Sequence, residues 1–156
     1  MPVKVLVIAV GKPRNAALAA VIGEYEERAA RYWPLERIEV REEPAKSATA
    51  DLVRDREGER LSAKIPAGAV ITCCDPGGKR LDSGAFATWL QGEREGGRDV
   101  AFVIGGAFGL SQGLLKRAAV RLELAPWTLP HELARLVLAE QLYRAGTIVR
   151  REPYHK

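Results

Sequence analysis

FVIGGAFGLSQGLLKRA, Phe102–Ala118, is the stretch that decides the fold. An apolar run breaks on the pair Gly105–Gly106, turns again at Gly109, and reaches Ser111, a residue type suited to capping the helix that follows. Strand, glycine turn and helix in that order make half of a strand–helix–strand unit. Val100–Ile104 therefore reads as a strand and Gln112–Ala119 as a short helix. Toward the carboxyl end, Arg121–Ala125 reads as a further strand, and a long helix spans about Pro130–Ile148. Toward the amino end, Val3–Val10 is a buried strand bounded by Gly11 and Pro13. Asn15 caps a helix to about Arg31, with Leu18, Val21, Ile22 and Tyr25 near helical spacing. LERIEV, Leu35–Val40, alternates like a strand with one wet face. The charged connector REEPAKS leads to a polar helix over about Ala48–Ser62, whose charges read as a solvated face rather than a site. Gly68–Cys74 is a strand with DPGGK as its turn. Asp82 or Ser83 opens a helix carrying Phe86, Trp89 and Leu90, which EGGRD ends. Strands alternating with helices predict an α/β fold, a mainly parallel sheet with flanking helices, in one domain over residues 1–156.

The bulk numbers agree with a single globular domain. The chain has 156 residues and 47% apolar content, enough to bury a core. Lys and Arg number 24 against 20 Asp and Glu, a formal charge of +4. That excess is compatible with a nucleic-acid partner and does not by itself require one. Its placement says more: Arg150, Arg151 and Lys156 face only Glu152 in the last seven residues, a cationic tail able to meet phosphates. Cys73 and Cys74 are adjacent, so a structural bridge between them is unfavourable. With no CxxC and two distant histidines, no metal site is expected. The apolar runs fall short of a membrane span, and the opening MPVKVLVIAVG lacks a signal-peptide pattern, so no membrane contact and a cytoplasmic setting are expected.

Three loops follow apolar strands: Asp75–Lys79, Gly105–Gly109 and Pro126–Pro130. In an open α/β sheet such loops converge beyond the carboxyl ends of the strands to form the ligand site. Neither GxGxxG nor GxxxxGK[ST] is present, which argues against a dinucleotide fold and a P-loop. Between Pro126 and Pro130, Trp127 offers a flat surface and Thr128 a hydroxyl, and backbone groups held there can read an adenine edge. The plainer alternative makes Trp127 a core or interface anchor. His131 reads as a capping or packed imidazole, and Glu140 with Arg144 as a pair that fixes the long helix. No Ser–His–Asp set occurs, so a reaction needing little covalent help from the protein fits better.

GGAFGLS, LxLAPWTLPHELARxxLxEQLYRAxxI and the terminal PYHK together resemble the RlmH family, formerly YbeA, of SPOUT-class methyltransferases. The likeness runs from VKVLVIAVGK through DPGGK to the last residue, and the ending carries most of its specificity. It implies S-adenosylmethionine as cofactor and N3 of a pseudouridine in 23S ribosomal RNA as acceptor, with the assembled ribosome as the expected substrate. It also implies a homodimer and a deep carboxy-terminal trefoil knot over approximately residues 71–148. On this chain the implied cofactor site is Cys74, Gly105, Gly106, Gly109, Leu124, Ala125, Pro126, Trp127 and Thr128. The chain departs from common members at Cys74 and at Ala125-Pro126-Trp127, changes that backbone recognition tolerates. The implied chemistry places His155 to help deprotonate N3, Arg144 or Arg151 against the uracil oxygens, and Tyr154 against the base, with one tail completing the partner's site. Two other classes stay open: a related methyltransferase with a different RNA acceptor, and an inactive RNA-binding or ribosome-assembly protein of the same fold.

Overall fold

Every residue of Val5–Val10 (β1) is buried, because strands stand on both sides of it and helices cover both faces. β1 lies between Leu35–Val40 (β2) and Val100–Ile104 (β4). β4 pairs in turn with Val70–Arg80 (β3), and β3 with the edge strand Val120–Glu123 (β5). The order is β2-β1-β4-β3-β5, and every pairing is parallel. The structure is a computed structural model and describes residues 2–46 and 48–156. Met1, and Ser47 at the end of the charged connector, lie outside the described residues.

Alternation along the strands divides the core in two. Val5, Val7 and Ala9 with Val100, Phe102 and Ile104 face a layer built from Ala16–Ala29 (α1), Ser83–Glu95 (α3) and His131–Val149 (α5). Leu6, Ile8 and Val10 with Ala101 and Val103 face Ala50–Ser62 (α2) and Gln112–Arg117 (α4) through Leu61 and Leu114. Cys73 and Cys74 follow the same rule: one belongs to each cluster, and both thiols are free. Four helices start where a short polar side chain accepts a backbone amide, at Asn15, Thr49, Asp82 and Ser111. Trp33 is a core residue whose indole N–H donates to the Leu142 carbonyl at 2.9 Å, and Trp89 packs edge-on against Phe102.

DPGGK is not a turn that ends a strand. β3 continues to Arg80, and both Cys74 and Lys79 pair with Leu122, so residues 75–78 are looped out of a ladder that resumes beyond them. The bulge pushes Asp75 and Pro76 outward at the carboxyl end of the sheet. The short helix also stops earlier than its composition suggests. Ala118 turns extended and the Ala119 amide donates to the Ile71 carbonyl, drawing the chain into β5 from Val120.

A buried ion network holds α5 near its amino end. Arg135 is 7% exposed and donates from Nε and Nη2 to Glu26 of α1 and from Nη1 to Glu39 of β2. Burial works against the charged guanidinium, but these carboxylates outweigh it and hold its pKa above the ordinary value. The helix is thus locked to a strand and a neighbouring helix.

Candidate functional site

The carboxyl ends of β3, β4 and β5 open onto a cleft of about 160 Å³, several times the space of a water molecule. Cys74, Asp75 and Pro76 supply one wall, Ile104–Ala107 with Gly109 the floor, and Leu124, Ala125 and Trp127–Leu129 the other wall. His131 and Ala134 of α5 close one side. Eight of the expected cofactor residues therefore line one space; Pro126 is the ninth and does not line it. Asp75, Pro76 and Leu129 come from the loops expected to converge here, whereas His131 and Ala134 were not singled out for this site by sequence, because their place depends on the pitch of α5.

The floor depends on the glycines for room. A Cβ at Gly105 would sit 2.6 Å from the backbone of Gly109, a distance real side chains do not tolerate. Gly109 itself has φ +83°, the left-handed region that glycine adopts without cost, and its amide closes the turn on the Gly106 carbonyl.

Polar capacity in the cleft is mostly backbone. Among the described residues, Leu124–Leu129 make no backbone–backbone hydrogen bonds, which leaves amides and carbonyls available around an apolar space. Among the described residues its one fixed charge is Asp75, held by Arg121 through Nε at 3.2 Å and Nη2 at 2.5 Å. Burial pushes the Cys73 thiol up to about 11 and pushes the Cys74 thiol up as well. Both stay protonated and are unsuited to nucleophilic attack. Trp127 is 79% exposed, so it is no core anchor in this chain and presents its ring at the rim. The lining suits an adenosine with a cationic sulfur: flat apolar surface, backbone hydrogen bonds and one carboxylate.

The tail residues gather elsewhere. Arg144 pairs with Glu140 one turn back, with Nε 2.7 Å from Oε1, and its Nη1 lies 3.0 Å from Nδ1 of His155. The Tyr154 hydroxyl reaches the same Glu140 oxygen at 3.4 Å, and the Arg144 guanidinium lies 4.7 Å from the Tyr154 ring centroid. Desolvation first, then the Glu140 carboxylate, push the Tyr154 phenol up to about 12, so it acts as a hydrogen-bond donor and not as a base. The Glu140–Arg144 pair thus anchors the tail as well as the helix. Arg151 does not join the cluster. It adopts φ 56° where α5 ends, and the chain reverses there as the Glu152 amide bonds to the Thr147 carbonyl. Arg150 stacks on Tyr32, whose hydroxyl donates to Glu152 at 2.5 Å. The tail is folded back on α5 and is no frayed end.

Cleft and tail are separated within one chain. His131 lines the cleft and Arg144 holds the tail cluster, roughly 20 Å apart at 1.5 Å of rise per helical residue. Among the described residues no group of three or more His, Cys, Asp or Glu side chains is placed to hold a metal, and no helix is long and apolar enough to cross a membrane.

A family model described as "Predicted SPOUT methyltransferase" matches residues 3–155. Two curated relatives carry the name ribosomal RNA large subunit methyltransferase H. That of Gemmatimonas aurantiaca is 61% identical over 153 residues, 98% of this chain and 99% of its own length. That of an Anaeromyxobacter species is 49% identical over 150 residues, 96% and 97% of the two chains. Among solved structures, a probable methyltransferase from Bordetella pertussis superposes with a TM-score of 0.57 at 16% identity, covering 92% of this chain and 95% of that one. A probable methylase family protein from Haemophilus influenzae gives 0.56 at 11% identity, over 100% and 72%. At those identities the solved structures bear on the fold alone.

Proposed function

The chain belongs to the SPOUT methyltransferases, in the family of ribosomal RNA large subunit methyltransferase H, and from that premise we propose that it methylates N3 of a pseudouridine in large-subunit RNA. It is an S-adenosylmethionine-dependent enzyme of 23S ribosomal RNA. Its setting is the cytoplasm and its substrate the assembled ribosome, which presents the RNA loop. Residues 1–156 form one domain, knotted over approximately 71–148.

The separation of cleft and tail carries the mechanistic reading. A methyl donor in the cleft and a base held by the tail cannot meet across roughly 20 Å of one helix. A homodimer that sets one subunit's tail beside its partner's cleft resolves this.

When bound in the cleft, S-adenosylmethionine supplies a methyl group already activated on a sulfonium. The chain's own work is placement and proton handling. Gly105, Gly106 and Gly109 allow close approach at the floor, Leu124–Thr128 offer backbone groups to adenine and ribose, and Trp127 covers the rim. The tail must position the uracil-like base and relieve N3 of its proton. Nδ1 of His155 accepts from Arg144, so the neutral ring carries its hydrogen on Nε2. Arg144 turning to a uracil oxygen frees Nδ1 to accept the N3 proton while the guanidinium stabilises the charge left behind. Glu140 keeps Arg144 oriented, Tyr154 lies against the base, and Arg151 is left for the RNA backbone.

The test is methyl transfer from labelled S-adenosylmethionine to ribosomes lacking the modification, with mass mapping of the product nucleoside. Label on N3 of a large-subunit pseudouridine is the expected result. Label on another nucleoside would transfer the reading to a different acceptor. Cofactor-free binding of ribosomal RNA with no label would replace it by the non-catalytic alternative.

A further inference from the structure

The polar helix α2 is not merely a solvated face. Arg54, Glu57 and Gly58 recur at i, i+3 and i+4, the spacing that places side chains on one side of a helix. All three meet the segment 106–111. Arg54 Nη1 donates to the Phe108 carbonyl at 3.3 Å. Glu57 Oε1 lies 2.9 Å from where a Cβ of Gly106 would stand, and a Cβ on Gly58 is 2.5 Å from Ser111 Oγ. Glu57 is 2% exposed, and among the described residues Oε1 has no hydrogen-bond partner, while Oε2 accepts the Glu43 amide at 3.0 Å. A buried carboxyl with one oxygen unpaired is an expensive group to keep without a use.

We propose that Glu57 is a positioning residue for cofactor binding: its carboxyl braces the Gly105–Gly106 turn from beneath and ties the floor of the cleft to α2 and to the connector after β2. Glu57 does not line the cleft, so it acts through Gly106. The inference rests on the reading of that cleft as the cofactor site. Glutamine keeps the shape and an acceptor for the Glu43 amide, whereas alanine removes the brace and leaves a void under the turn.

Burial is the main cause that holds Glu57 above the ordinary carboxylate range, favouring the neutral acid. The charged groups acting on it are Glu42 and Glu43 on the connector and Arg60 on α2 itself. Gly105–Ser111 and Val10, which also pack here, carry no titratable side chain. Ionisation places a bare charge beneath the floor, so the brace weakens as pH rises.

The experiment is calorimetric titration of the intact dimer with S-adenosylmethionine, for wild type, E57Q and E57A, from about pH 5 to about pH 9, a range that brackets buried carboxyls. At low pH E57Q is expected to bind within about threefold of wild type and E57A at least about tenfold more weakly, with kcat at saturating cofactor little changed. Wild-type affinity should fall with rising pH, and that of E57Q should not follow it. Should E57A fail to fold, the E57Q profile still decides. Parallel pH profiles for wild type and E57Q, or equal affinity in all three proteins, would overturn the role of Glu57 and leave the cofactor cleft standing. No binding by wild type at any pH would instead remove the cleft reading, and this inference with it.

Discussion

The cleft at the amino end of α5 and the cluster at its carboxyl end are built on opposite plans. The cleft is apolar, shaped by glycines and lined with unpaired backbone groups, and its one carboxylate is engaged by Arg121. The tail cluster is nearly all side chain, with Glu140, Arg144, Tyr154 and His155 each touching another. Backbone surfaces hold a ligand while tolerating changes of side chain, which suits a cofactor. Linked side chains can shift protons and charge, which suits a reaction. Binding and chemistry are therefore separable here, and substitutions should separate them.

The largest split is expected at the tail. Replacing His155 with Gln should lower kcat by about 10²- to 10⁴-fold, the range of a lost general base, with S-adenosylmethionine affinity within about twofold. Equal losses of both, measured by single-turnover kinetics and calorimetry, would mean the tail supports the fold. Next is the pin between the two ends. Glu26→Ala leaves Arg135 buried with Glu39 as its remaining carboxylate and should cost about 1.5–3 kcal/mol in denaturant unfolding. Unlike the site variants, it should harm stability before either function. At the cleft, Gly105→Ala drives a methyl into the Gly109 backbone and should weaken cofactor binding at least about tenfold. Ribosome binding by the tail should survive, as filter retention would show.

The smallest effect is a pH-dependent one. Glu57 has a folded pKa above its unfolded value, so its burial carries no ionisation cost while both states are protonated. The cost appears as pH rises past the unfolded pKa and is complete above the folded one. E57Q should therefore match wild type in acid and become the more stable protein toward neutral pH. Thermal melts across that window check the sign; a gap that widens toward acid would contradict it.

Much of the fold was legible because burial on both faces turns strands into continuous apolar runs, as in VLVIAV, and because helices begin at short polar caps. The bulge after Cys74 was not. DPGGK has the composition of a turn, and only pairing of Lys79 with the neighbouring strand reveals that β3 resumes. The loops that line the cleft could be named from the glycine and proline spacing together with family likeness. Glu57 could not be, since a charged residue on a polar helix looks solvated until the helix is packed against the turn it supports. The tail residues were named by likeness, but their distance from the cleft follows only from the straight run of α5.

Subunit complementation tests that distance most directly. A tail variant, His155→Gln, is mixed and re-dimerised with a cleft variant, Gly105→Ala, and methyl transfer to unmodified ribosomes is measured. If each site joins one subunit's cleft to its partner's tail, every heterodimer contains one intact site, and the mixture recovers about a quarter of wild-type activity. If cleft and tail work within one subunit, every site carries a lesion. Activity no higher than the mean of the two variants would then contradict the shared site.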